Sequence, residues 1–192
     1  MHIILASNSP RRKELLSGLE LDFEVRTMSG IDESYPDTLS GEEIPVYISQ
    51  KKADAYLPAL SEDELLITAD TIVCLDGRVL GKPHDRQQAI DMLADLSGCT
   101  HQVITGVTLA TITMRRSFAS VSNVTFAKLT PSDIIHYVDC YRPYDKAGAY
   151  GIQEWIGYIG VSRIEGSYFN VMGLPVQRLY EELKTIGGLY AG

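Results

Sequence analysis

Apolar residues fall into two rhythms along the 192-residue chain. Short unbroken or alternating runs mark strands, and spacings of three and four mark helices. The run Ile3-Ile4-Leu5 predicts a strand over His2–Ala6. A helix follows from Ser9, with Ser9 as N-cap and Pro10 at the first helical position, where its missing N–H costs nothing. Leu15, Leu16 and Leu19 give that helix its apolar side, and Gly18 lies near its end. Phe23–Arg26 reads as a short strand, and Ser29–Thr38, rich in Gly, Asp, Ser and Pro, as a loop.

Further on, Ser40-Gly41-Glu42-Glu43 predicts a capping box opening a helix with Ile44, Tyr47, Ile48 and Ala55 on one side. Leu65–Leu75 predicts a buried strand, and Asp76-Gly77 a type I′ hairpin into Arg78–Leu80. Gln87–Leu96 has Ala89, Leu93 and Leu96 on one helical face, with Gly98 beyond its end. Strands are expected at Gln102–Ile112 and Phe118–Leu129. Thr130-Pro131-Ser132-Asp133 starts another helix, and a last one begins near Pro175 with Val176, Leu179, Leu183 and Ile186 in phase. Strands and helices mix without strict alternation, which predicts an α/β fold with a mixed sheet and flanking helices. No linker divides the chain, so one domain is expected over residues 1–192.

Composition narrows the functional classes. With 45% hydrophobic and 22% charged residues there is ample material for a core. The net charge of −8 argues against general binding to nucleic acid or an anionic membrane, though not against a local basic site for a small anion. Cys74, Cys99 and Cys140 are scattered and odd in number, as expected of reduced thiols rather than a disulfide framework or zinc site. His2, His84, His101 and His136 show no metal-ligand spacing. The opening apolar run is too short for a signal h-region or a membrane span, so a cytoplasmic location is expected.

Two places carry candidate chemistry. Arg11 and Arg12 stand at the positive end of a helix, where cations are least favoured. Free N–H groups there cradle anions, and arginines add bidentate contacts to phosphate; a solvated helix surface is the plain alternative. Asp70, in "LLITADTIVCL", interrupts an apolar strand, where a carboxylate is costly unless paired, hydrogen-bonded or metal-bound. It is a general base, a metal ligand or a structurally satisfied acid. Glu33 in the loop would add a second oxygen ligand for Mg²⁺, or is simply solvated. Lys51 and Lys52 border the apolar stripe of their helix, and the helical wheel does not choose between them. Lys82, in "LGKPHD", ends a strand. Cations and two acids, without serine or thiolate machinery, suit metal-assisted water attack on a phosphate ester or anhydride.

Five co-linear segments, "LASNSPRRKELL", "ADTIVCLDGRVLGKPHD", "LSGCTHQVITGVTL", "DKAGAYGIQ" and "GSYFNVMGLPV", resemble the signature segments of the Maf family of nucleotide pyrophosphatases, from about residue 3 to 183. The resemblance implies a mixed, elongated α/β fold similar to inosine triphosphate pyrophosphatases, with two lobes around a central cleft. It implies cleavage of a nucleoside triphosphate between the α- and β-phosphates, a divalent cation (Mg²⁺ or Mn²⁺), and in many members a homodimer. By position, Asp70 matches the catalytic proton acceptor; Ser9, Arg12, Glu33, Lys52 and Lys82 match cleft residues, with Lys52 beginning the Lys-Ala pair. Glu33 and Asp70 would hold the metal. Arg12, Thr71 and Gln153 match positions that choose the base in the dTTP/UTP subfamily, whose version of Asp145–Gln153 the chain carries. Departures are Tyr141-Arg142-Pro143-Tyr144 before that stretch and Glu154-Trp155-Ile156 after it; Trp155 lines the site or packs its lobe. Alternatives are the same chemistry on other modified or purine nucleotides, and a non-enzymatic nucleotide-sensing regulator of division.

Overall fold

The structure is a computed structural model and describes residues 1–186; the last six residues of the expected domain lie outside them. Seven strands form one mixed sheet: β1 (His2–Leu5), β2 (Phe23–Val25), β3 (Glu64–Leu75), β4 (Arg78–Leu80), β5 (Thr100–Ala110), β6 (Arg115–Phe126) and β7 (Val161–Glu165). Their order is β2-β1-β3-β5-β6-β7, with β4 paired to β3. β1 runs parallel to both β2 and β3, whereas β3–β4 and β6–β7 are antiparallel. The helices are α1 (Pro10–Ser17), α2 (Glu43–Tyr56), α3 (Arg86–Leu96), α4 (Pro131–Tyr141), α5 (Trp155–Gly160), α6 (Tyr168–Met172) and α7 (Val176–Ile186).

The chain divides into two compact units. Among the described residues, one holds 1–70, 105–120 and 173–186, the other 71–104 and 121–172. Both are discontinuous, and the chain crosses between them inside β3, β5 and β6. The first unit has a core of Ile4, Ala6, Ala53, Tyr56, Leu66 and Ala110. Because β1 and β3 are covered on both faces, their sequences read as continuous apolar runs rather than as alternation.

Most boundaries follow local chemistry. Ser9 caps α1 by accepting from the Arg12 amide, Asp85 caps α3, and Thr130 with Asp133 forms a full capping box on α4. Asp76 and Gly77 both take positive φ, as the hairpin requires. Ser40 does not start α2. Gly41 takes a positive φ, and Ser40–Glu42 becomes a turn in which the Glu43 carboxylate accepts from the Ser40 amide at 3.1 Å. The helix then begins at Glu43 without a side-chain cap. Its buried side is Ile44, Ile48, Ala53 and Tyr56, whereas Tyr47 and Ala55 are half-buried, so the expected stripe is displaced around the helix. Among the described residues, no helix is long and apolar enough to cross a membrane.

Candidate active site

β3 is buried along its whole length except at Asp70 and Thr71, which are half-buried. At that opening the first unit assembles a cluster of charges. α2 lies on the sheet through three successive contacts. Gly106 of β5 sits against the backbone of Pro45 and Val46. One turn later, the Ser49 carbonyl accepts from Thr68 Oγ1 at 2.7 Å, and Ser49 Oγ meets Thr108 Oγ1 at 2.8 Å. Three residues beyond Ser49 along the helix comes Lys52, and two beyond Thr68 on the same strand face comes Asp70. This register brings Lys52 Nζ to 2.7 Å from Asp70 Oδ1.

The same ammonium is 2.9 Å from Glu33 Oε1. Lys52 and Asp70 side chains are only 13% and 14% exposed, whereas Glu33 is 50% exposed. Glu33 rides on a loop that Lys51 pins from the next position of α2. Lys51 Nζ donates to Asp32 Oδ2 at 2.6 Å and to the Ser34 carbonyl at 3.0 Å. Ser34 closes the turn by donating its amide and hydroxyl to the Asp32 carboxylate. The ion pair with Lys51 and these bonds hold the Asp32 carboxyl well below the usual range. Adjacent lysines thus grip adjacent loop residues, but only Lys52 reaches Asp70, which answers what the helical wheel leaves open.

Arg12 joins the cluster from α1. Its Nε donates to the Gly173 carbonyl at 2.9 Å and one terminal nitrogen to the Ala69 carbonyl at 2.8 Å. Burial and neighbouring Arg11 pull its pKa down from the ordinary value, while Asp70 and Glu33 pull it back up. Ser9 acts here as the cap of α1, 3.4 Å from the Arg12 amide. Ser9, Arg12, Glu33, Lys52 and Asp70 therefore all belong to the first unit.

Thr71, Lys82 and Gln153 belong to the second unit. Thr71 follows Asp70 on β3, and Lys82 is exposed just after β4. Gln153 is half-buried in the turn before α5, and its Oε1 is buried without a hydrogen-bond partner. Such an acceptor costs free energy until a donor reaches it. Trp155 packs edge-on against His136 of α4, centroids 4.8 Å apart.

Two carboxylates meeting at one cationic point also suit a hard divalent ion, which takes one or two carboxylates and fills its shell with phosphate and water oxygens. Among the described residues no group of three or more His, Cys, Asp or Glu gathers as a metal cage. The cluster sets carboxylate oxygens beside two fixed cations, Lys52 and Arg12, groups that can take up a proton and offset phosphate charge.

Comparison with known proteins gives the same direction. The Maf-like protein family model matches residues 2–186. The dTTP/UTP pyrophosphatase of Phocaeicola vulgatus is 65% identical over 184 residues, 96% of this chain and 95% of that protein. That of Flavobacterium johnsoniae is 46% identical over 96% of this chain and 94% of its own. Among solved structures, the Staphylococcus aureus Ham1 protein superposes with a TM-score of 0.54 at 20% identity, covering 97% of this chain and all of the other. A HAM1 protein from Coxiella burnetii gives 0.52 at 14%, covering 96% and 99%. At such identities these two establish a shared fold.

Proposed function

Because the chain belongs to the Maf-like protein family, we propose that it hydrolyses dTTP and UTP to the monophosphate and pyrophosphate. The observation that carries the chemistry is the meeting of Asp70, Glu33 and Lys52, with Arg12 anchored beside Ala69, where β3 is otherwise buried. The choice of bases is supported by relatives bearing the dTTP/UTP pyrophosphatase name at 46% to 65% identity.

In the proposed reaction a water oxygen bonds to the α-phosphorus and the bond to the α–β bridging oxygen breaks. The electron pair leaves with pyrophosphate, and the water's proton passes to Asp70. Arg12, Lys52 and Lys82 offset the charge that grows on the leaving group, and Ser9 keeps the α1 start in place. Asp70 and Glu33 would hold Mg²⁺ or Mn²⁺, which when bound supplies Lewis-acid charge to the phosphate oxygens. Lys52 keeps the two carboxylates together between turnovers.

Gln153 and Thr71 read the base. Uracil and thymine present an N3–H donor between two carbonyls, and the Gln153 amide offers the matching acceptor and donor. Its unsatisfied Oε1 supports this role. Cytosine, with an acceptor at N3, leaves that oxygen unpaired, so a hydrogen-bonding site rejects it. The same reading has the enzyme act in the cytoplasm, as a homodimer.

A panel of nucleoside triphosphates with Mg²⁺, assayed for pyrophosphate release, tests the proposal. Turnover favouring dTTP and UTP is expected, with Asp70→Asn lowering kcat by about 10²–10⁴. Turnover confined to purine triphosphates would overturn the base assignment, and no turnover at all would leave a nucleotide-sensing role.

A further inference from the structure

The turn that carries Gln153 is held by a buried polar network that the reaction itself does not use. Tyr137 of α4 is wholly buried. Its hydroxyl accepts from the Gly151 amide at 3.0 Å, so its single proton is directed to Glu154 Oε2, which it contacts closely. Gly151 and Glu154 flank Gln153, and the Glu154 amide closes the turn on the Gly151 carbonyl at 3.0 Å. One phenol therefore fixes both ends of the four-residue segment.

Lys146 completes the arrangement. Its ammonium, buried with the side chain 9% exposed, lies 3.2 Å from Glu154 Oε1 and 2.7 Å from Asp145 Oδ1. Each Glu154 oxygen has its own partner, so the carboxylate cannot swing without leaving a buried charge uncompensated. Space is equally restricted. A Cβ on Gly151 would come 2.9 Å from the Glu154 carboxyl carbon and 3.1 Å from Lys146 Cε. Burial and the hydrogen bond to Glu154 push the Tyr137 phenol far above its usual pKa, so the proton stays on the hydroxyl at any working pH.

We infer that Tyr137, Glu154 and Lys146 form the positioning set that fixes Gln153 for base selection. The inference rests on Gln153 reading the base. None of the three makes the selecting contact; they hold the residue that does. A side-chain amide discriminates only when its oxygen and nitrogen are held in register with the base edge, because a mobile amide can rotate to satisfy cytosine as well as uracil. Tyr137 also stacks on Tyr141, centroids 5.0 Å apart, which is the contribution a purely structural tyrosine would make.

Tyr137→Phe retains the stacking ring and removes the hydroxyl. Steady-state kinetics with UTP and CTP, alongside Tyr137→Phe and Gln153→Ala, separate the roles. The expected result is a fall of about tenfold or more in kcat/KM for UTP, the loss lying in KM. The UTP-to-CTP preference should fall toward that of Gln153→Ala. If Gln153→Ala loses the preference but Tyr137→Phe keeps it, or lowers kcat for both nucleotides alike, the positioning inference is overturned and the base reading stands. If Gln153→Ala keeps the preference, the base reading itself is overturned. Should Tyr137→Phe fail to fold, Gly151→Ala, which forces the Glu154 carboxylate aside, must show the same loss of preference or the inference fails.

Discussion

At Lys52 one ammonium meets two carboxylates, and its removal leaves both acids without the cation that pairs them. Lys51, one residue earlier, holds a more exposed pair with Asp32, whose side chain is 66% exposed. Exposed pairs are worth up to about 1 kcal/mol, and breaking buried ones costs several times more. Lys52→Met should therefore lower kcat/KM for UTP by about a hundredfold or more, and Lys51→Met by about tenfold or less, in parallel assays. Equal losses would mean that pinning the Glu33 loop matters as much as reaching Asp70. At this scale the sequence is informative where a residue contradicts its surroundings. Asp70 stands out because an acid interrupts an apolar strand, and Arg12 because a cation occupies a helix start. Lys146 and Tyr137 give no such signal, because a lysine in a loop and a tyrosine on an apolar helix face are ordinary until the fold brings Glu154 to them.

Elements reach their places through a few close approaches, of which Gly106 against α2 bears on the site. An added Cβ would lie 2.3 Å from Pro45 C and Val46 N, and backbone cannot yield as a side-chain tip can. Gly106→Ala should lift the start of α2 from the sheet and shift Lys52 away from Asp70. Overpacking of this kind costs about 1–3 kcal/mol or more, which in a chain of this length lowers Tm by several degrees. Calorimetry should show that decrease, together with reduced activity at temperatures where the variant is still folded. The helix starts at Ser9 and Thr130 are readable from sequence because the cap interaction is local, whereas Asp85, which caps α3, is not singled out there. Ser40 misleads because a serine–glutamate pair three apart also fits a turn once Gly41 takes a positive φ. α5, β7 and α6 are short, and their form depends on pairing and packing partners far along the chain. In β7, Val161 pairs with Phe126 beside a bulge at Thr125/Phe126.

Over the whole molecule, two buried or paired groups give acid sensitivity in different ranges. His101 is buried with Nε2 2.7 Å from the Tyr150 hydroxyl, and burial pushes its pKa down from 6.5 to about 4. Its folded pKa lies below its unfolded one, so the neutral ring's contribution is complete above about 6.5 and is lost as pH falls toward 4. Glu64 forms a two-point pair with Arg26, at 2.7 and 3.1 Å, and its pKa is lowered from 4.5 to about 2. That contribution is complete above about 4.5 and is lost as pH falls toward 2. Tm measured against pH should decline first between about 6.5 and 4, a step that His101→Gln removes, and then again below about 4.5, a step that Glu64→Gln reduces, Asp32 contributing to the remainder. The His101 step corresponds to about 3 kcal/mol.

The bond from Arg12 to the Gly173 carbonyl spans 161 positions of the chain. During synthesis, Asp70, Lys52 and Glu33 emerge early, along with most of the unit to which they belong. The second carbonyl that holds the arginine, that of Gly173, emerges only with the 173–186 segment. A ribosome-bound chain halted before residue 173 therefore carries the acids and the lysine with one of the two carbonyl contacts of Arg12 missing. Full anchoring of Arg12 waits on the 173–186 segment, long after the acids and the lysine have been made.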